Sequence, residues 1–256
     1  MATAADEEPC PTCGGRGWTV ESDGGAGTAR PCDCRSRSEL PRLVELAGVP
    51  QRYAGCRLEN FQVQVKGAGD SLLRARRLAE RYAEEFLGEN GRMRESGLLF
   101  IGAPGVGKTH LAAALLLDLV RRYRVRGRFV DFTALLYQIQ STFDPGSSDS
   151  KQSVLDPVMG AEVLVLDELG AQKPSPWVSE VLYLVLNTRY TRRLPTIFTT
   201  NYRLPEDGRE GSAAASDLLS GRIPAMLLSR LYEMAQPVVI AADDYRHRVK
   251  MYQHQL

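Results

Sequence analysis

Little in this chain marks it for a membrane or for export. Among its 256 residues no apolar run approaches the ~20 residues that a bilayer span needs. The longest, Leu111–Leu117, is cut by Asp118. Asp6, Glu7 and Glu8 stand where an export signal would place a basic and then an apolar region. The expectation is therefore a cytoplasmic protein with no membrane partner. Net charge is nearly absent as well: 32 Lys+Arg against 31 Asp+Glu leave +1. That sum excludes a uniformly basic coat for nucleic acid, yet it hides the distribution. Lysine is scarce, 5 against 27 arginines, and five of the arginines crowd one stretch: Arg121, Arg122, Arg124, Arg126 and Arg128. No internal repeat is present. The three histidines, His110, His247 and His254, are not spaced as a metal site. Apolar residues at 43% and charged residues at 25% are ordinary for a globular protein and exclude collagen-like, mucin-like and wholly disordered classes.

Cysteine is sparse but concentrated. Four of the five lie in the pattern Cys10-x2-Cys13 and Cys32-x-Cys34. The Gly-rich stretch between the pairs holds too few apolar residues to bury a core of its own. A disulfide framework does not suit a cytoplasmic chain. Four thiolates suit tetrahedral Zn²⁺, and metal binding can supply ~10–16 kcal/mol towards ordering such a segment. The competing reading, a redox C-x-x-C, lacks a thioredoxin-like context. Cys56 reads as a small buried apolar residue.

Residues ~35–60 read as a connector, with Pro41 and Pro50 as breakers. The spacing of Leu72, Ala75, Ala79, Tyr82 and Phe86 predicts a helix over Leu72–Leu87. From Leu98 the rhythm changes to short apolar strands alternating with helices. Strands are expected at Leu98–Ile101, Arg128–Phe132, Glu162–Asp167, Thr196–Thr200 and Val238–Ala241. Helices are expected at Lys108–Tyr123, Thr133–Phe143, Trp177–Thr191 and roughly Ala213–Met234, with a loop at Asp144–Ser150. Such alternation implies an α/β fold, a parallel sheet with helices on both faces.

Residues 102–109, GAPGVGKT, match G-x-x-x-x-G-K-[ST] at every fixed position, between a predicted strand and a predicted helix. Gly102, Gly105 and Gly107 allow backbone N–H groups to turn inward around a phosphate. The helix N-terminus adds partial positive charge. Lys108 supplies a mobile cation for the β/γ-phosphates, and the Thr109 hydroxyl suits Mg²⁺. ATP and Mg²⁺ are the cofactors this motif implies. The strand Val163–Asp167 ends in two carboxylates, at the strand edge where doubly wound sheets bind ligands. Asp167 suits Mg²⁺, and Glu168 suits polarising an attacking water, so hydrolysis is favoured over transfer. Asn201 ends the next strand and can orient that water or touch the γ-phosphate.

These residues resemble the AAA+ ATPases, and among them the DnaC/DnaI-type helicase loaders and the related IstB-type transposition ATPases. The resemblance covers roughly residues 48–250. It rests on GAPGVGKTHLA, LVLDELG, VLYLVLNTRYTRRLPTIFTTN, SRLYEM and DDYR. It implies a P-loop AAA+ sheet without a helical lid, since only fifteen residues follow Val238–Ala241. It further implies that Arg230 is an arginine finger completing a neighbouring subunit's site, and that Arg246 contacts nucleotide from its own subunit. Arg222 lies eight residues before Arg230 with Pro224 between them, where the family spaces a comparable pair four apart, so no role is carried over to it. The cysteines resemble the N-terminal zinc module of DnaI-type loaders, which engages the replicative helicase. The implied division is a four-cysteine zinc module at 1–36, a connector at 37–70 and an AAA+ core at 71–256. The implied function is an ATP-dependent loader that places a replicative helicase on single-stranded DNA and self-associates through its ATP site. Two alternatives stand beside it: an IstB-like transposition-accessory ATPase, and a nucleotide-binding zinc adaptor with little hydrolysis.

The Thr133–Phe143 stretch resembles the helical insertion with which initiators and loaders hold single-stranded DNA. Phe132, Tyr137 and Phe143 are then candidates for base stacking, worth ~1–3 kcal/mol per base. Burial in the core is the other reading for Phe132. The arginines Arg121, Arg122 and Arg124 read either as a DNA-phosphate patch or as cations stabilising a helix C-terminus.

Overall fold

The computed structural model describes residues 10–13, 18–21, 28–64, 69–144, 146, 148–205 and 217–245. An antiparallel hairpin pairs β1 (Trp18–Glu21) with β2 (Thr28–Pro31). Helix α1 (Asp33–Leu46) follows directly, then a short 3₁₀ turn at Gln51–Tyr53 and helix α2 (Ser71–Glu84). The remainder alternates: β3 (Gly97–Ile101), α3 (Lys108–Tyr123), β4 (Gly127–Asp131), α4 (Phe132–Ser141), α5 (Lys151–Gly160), β5 (Val163–Asp167), α6 (Pro176–Thr191), β6 (Thr196–Thr200), α7 (Ala225–Met234) and β7 (Ala235–Val239). Strands β3 to β7 form one parallel sheet in the order β4-β5-β6-β3-β7.

The sheet separates two apolar layers, and the two-residue period of a strand decides which side chain enters which. Leu98, Phe100, Val165 and Ile197 face α2 and α3. Leu99, Ile101, Leu164, Leu166 and Phe198 face α4 to α7. Covered on both faces, β3, β5 and β6 are buried throughout; β3 and the first four residues of β5 are apolar, while β6 buries Thr196, Thr199 and Thr200 as well. Helix α3 is buried all along Leu111–Leu117, because α1 and α2 lean on its outer side while the sheet takes its inner side. Among the described residues no helix is long and apolar enough to cross a membrane.

Four expectations are corrected. Pro41 does not break the chain: it sits inside α1, whose Leu40, Leu43 and Val44 pack on the core. The helix expected from Ala213 begins only at Ala225, because Pro224 is extended and starts it; residues 206–216 lie outside the described residues. Helix α5 occupies a stretch to which the sequence pattern assigned no element, and it forms with Pro157 inside it. Phe132 is 2% exposed and belongs to the core, leaving Tyr137 and Phe143 on the surface.

Candidate functional site

The phosphate loop starts where β3 ends. Gly102 N–H donates to the Thr200 carbonyl at 3.3 Å, and α3 opens at Lys108. Gly105 and Gly107 have φ of 82° and 97°, a region closed to most side chains. A Cβ on Gly107 would overlap the Phe61 ring, and one on Gly105 would overlap the Asp244 carboxylate. The loop is thus hemmed in by two segments remote in sequence. Lys108 Nζ donates to the Gly102 and Ala103 carbonyls at 2.9 Å each, bringing its ammonium back over the loop.

Asp167 ends β5 directly across from this loop. Thr199 Oγ1 donates to its Oδ1 at 2.6 Å, and Thr109 Oγ1 reaches Oδ1 at 3.1 Å. The parallel register places Asp131, the last residue of β4, beside Asp167. Burial pushes the Asp167 carboxyl up to about 6; the two threonine hydroxyls oppose this, and the charges of Glu168 and Asp131 add to it. A buried carboxylate crowded by like charge suits a divalent cation. Glu168 has φ of 59°, left-handed for a non-glycine residue, and its N–H donates to Thr199 Oγ1 at 3.0 Å. That backbone turns the Glu168 side chain out of the strand into the cavity, which Asn201 also lines.

The cavity holds about 340 Å³, within the range of ligand pockets. One wall is the segment read as a connector: Arg52, Tyr53, Asn60 and Phe61. Asn60 Oδ1 accepts from Arg57 N–H at 2.9 Å and from His110 Nε2 at 3.1 Å, and Asn60 Nδ2 donates to the Gly55 carbonyl. His110 Nε2 faces two acceptors, Asn60 Oδ1 and the Arg57 carbonyl, so it carries the proton. Burial holds this imidazole below its ordinary pKa. The ring of Phe61 lies 5.4 Å from that of His110, giving this end of the cavity an aromatic wall. Sequence reasoning missed this wall, Thr199 and Asp131. Only the short run Leu58-Glu-Asn-Phe61 gave an apolar signal, and it gains meaning only by packing on Gly107. The far wall is Ala242, Asp243 and Tyr245, whose N–H donates to the Gly105 carbonyl at 3.2 Å. Arg246 lies outside the described residues.

Arg230 is not in this cavity. It stands on α7, against the rings of Tyr183 and Tyr190 of α6. Arg222 instead donates to the carbonyls of Gly170, Ala171 and Gln172 and stacks on Tyr202, so it clamps the turn that follows Glu168.

The expected nucleic-acid residues fall into two groups. Tyr137 and Phe143, each 64% exposed, stand on α4 and just after it, beyond the strand edge that carries Asp167. Arg121, Arg122 and Arg124 lie at the other end of α3, ~24 Å along its axis from Lys108. Arg122 pairs there with Asp118 at 2.8 Å, and Arg124 takes the left-handed capping position.

At the N-terminus the Cys10, Cys13 and Cys32 sulfurs lie within 4.8 Å of one another, with Cys10 and Cys32 3.8 Å apart. A tetrahedral zinc with Zn–S of about 2.3 Å separates its sulfurs by about 3.8 Å. The donor set therefore fits zinc. Cys34 stands in the first turn of α1, its side chain outside the described residues.

A parallel sheet in this order, with a phosphate loop after β3 and an acid pair after β5, defines a P-loop ATPase fold of the AAA+ class. The family described as IstB-like ATP binding protein matches residues 69–253, and the chain belongs to it. The replicative helicase loader DnaC of Escherichia coli strain K12 is 28% identical over 171 residues, 66% of this chain and 64% of that protein. The chain thus aligns with just under two thirds of the length of this relative. An uncharacterized protein, YqaM of Bacillus subtilis strain 168, is 25% identical over 183 residues, 70% of this chain and 56% of that one. Among solved structures, the DnaC helicase loader superposes with a TM-score of 0.61 at 32% identity, covering 75% of this chain and 99% of that one. DnaI gives 0.57 at 25% identity, covering 75% and 94%.

Proposed function

We propose that the chain is an ATP-dependent loader that binds a replicative DNA helicase and delivers it to single-stranded DNA. One observation carries the reading: likeness to the DnaC helicase loader over 75% of this chain and 99% of that one, at 32% identity. The cysteine triad supports it further, because the cysteine pattern resembles the N-terminal zinc module of DnaI-type loaders. The division into a zinc module, a connector and an AAA+ core belongs to the same proposal.

Within the site, Gly105 and Gly107 open the cradle for the phosphates, and Lys108 exchanges its loop carbonyls for phosphate oxygens. Thr109 and Asp167 would hold Mg²⁺, which would supply neutralisation of phosphate charge when bound. Glu168, exposed at the cavity mouth, orients and polarises the water, and Asn201 aligns it. Arg230 serves the site of a neighbouring copy, and Arg246 its own. Tyr137 and Phe143 offer exposed rings to unstacked bases. Cys10, Cys13, Cys32 and Cys34 hold Zn²⁺ and shape the helicase-binding end.

Glu168→Gln should keep nucleotide affinity within a few-fold and lower turnover at least 10²-fold, since a positioned base contributes ~10²–10⁴. Equilibrium binding of a fluorescent ATP analogue and steady-state hydrolysis separate the two effects. Turnover that survives in the variant sinks the assignment. The partner is tested by capture on the Glu168→Gln chain with ATP: recovery of a replicative helicase supports the loader reading, and recovery of a transposase overturns it.

A further inference from the structure

We infer that Tyr183 and Tyr190 are positioning residues that hold Arg230 free of a carboxylate partner, as a cation for the nucleotide site of a second copy of this chain. The inference rests on Arg230 acting across subunits, as proposed above.

Tyr183 and Tyr190 are seven residues apart on α6, so they share one face two turns apart. The guanidinium carbon of Arg230 sits between them, 5.3 Å from one ring centroid and 5.5 Å from the other. Both rings are more than a third exposed, so this pocket opens on the surface. Arg230 Nη1 is buried and has no hydrogen-bond partner among the described residues.

What Arg230 is not bonded to matters as much. Glu233 lies three residues on along α7, a spacing at which a carboxylate and an arginine ordinarily pair. Its Oε2 instead accepts from Tyr190 Oη at 2.7 Å. Four other arginines of the fold have hydrogen-bond or ion-pair partners: Arg122 with Asp118, Arg189 and Arg222 with carbonyls, Arg193 with Glu95. Arg222 also stacks on Tyr202, but it has carbonyl acceptors besides, whereas among the described residues Arg230 is given only aromatic faces. A carboxylate partner would neutralise the cation and compete with a phosphate for it. Aromatic faces attract the cation while leaving its N–H groups to be filled. Tyr190 therefore has two roles: its ring holds Arg230, and its hydroxyl keeps Glu233 away. Met226, one turn before Arg230 and 57% exposed, adds apolar surface for a second copy beside the cation.

The test is hydrolysis by the full chain at saturating Mg·ATP, over a range of protein concentration, with and without oligo-dT. Tyr183→Leu/Tyr190→Leu should lower kcat roughly tenfold and leave KM for ATP unchanged. Tyr183→Phe should keep most of the native kcat, since the ring remains, whereas Tyr190→Phe keeps a ring but frees Glu233 to pair with Arg230 and should retain part of the loss. Mixing the Leu variant with Glu168→Gln chains should raise turnover above either alone, because one supplies an intact site and the other an intact Arg230. Full kcat in the Leu variant, or a loss that mixing does not relieve, overturns the inference. Should the double variant fail to fold, the single Leu changes carry the same test, and full kcat in both overturns it. Arg230→Ala in the same mixing assay checks the underlying reading. If Arg230→Ala turns over normally or is not relieved, action across subunits fails. If it is relieved and the tyrosine variant is not, only the holding role fails.

Discussion

Asp167 shows how much a single residue gives up for its chemistry. With its carboxyl raised from 3.8 to about 6, the folded chain binds more protons than the unfolded one between those values. Stability contributed by this group therefore falls as pH rises through that window. Above it the full penalty, about 3 kcal/mol, is present. Asp167→Asn keeps an acceptor for Thr199 and removes the charge. Without added Mg²⁺ the variant should be more stable than the native chain at pH 7, by about 1–3 kcal/mol, and no more stable at pH 4. Chemical denaturation at both pH values measures this, and an equal gain at both would contradict it. The residue that costs the metal-free chain stability is the one that suits a cation, a trade common at functional sites.

At the scale of elements, α5 shows why sequence pattern and structure part. Its Pro157 and Gly160 give no helical signal, and its support arrives from 28 to 31 residues away. Arg189 of α6 is fully buried and donates to the carbonyls of Val158, Met159 and Ala161 at the helix end. It also reaches the Pro195 carbonyl and Thr196 Oγ1. Burial draws its pKa down to about 9, which leaves it cationic at neutral pH. Arg189→Met should cost about 3–5 kcal/mol in urea unfolding, because these buried acceptors lose their donor. A loss under about 1 kcal/mol would show that water replaces it. In contrast, α3 was legible to the residue, Lys108–Tyr123, since the phosphate motif marks its start and apolar residues run along its length. The acid pair after β5 was legible for the same local reason. Asp131 and Thr199 were not, because only strand order brings 131, 167 and 199 together. The wall formed by Tyr53, Asn60 and Phe61 was hidden likewise: polar, proline-flanked residues read as a linker until they pack on the phosphate loop.

At the scale of the whole molecule, two ordering mechanisms meet at α1. The core is held by its apolar layers, while the proposed zinc at Cys10, Cys13 and Cys32 would order the hairpin before α1. Removing zinc from the full chain should loosen residues 18–31, seen as faster amide hydrogen exchange, and leave ATP-analogue affinity unchanged within twofold. Exchange at 18–31 that ignores the chelator would rule out a structural metal. The docking of α1 has one more consequence. Phe129 N–H donates to the Ala47 carbonyl at 2.7 Å, and Arg128 Nη1 to that of Leu46, so the outer edge of β4 is already bonded. At the opposite edge β7 contains Pro237, which has no N–H to give. Neither border of the sheet invites another strand. Copies of this chain are thereby kept from stitching their sheets into a continuous ribbon, and any ring or spiral they build must grow through helix faces such as the one that displays Arg230.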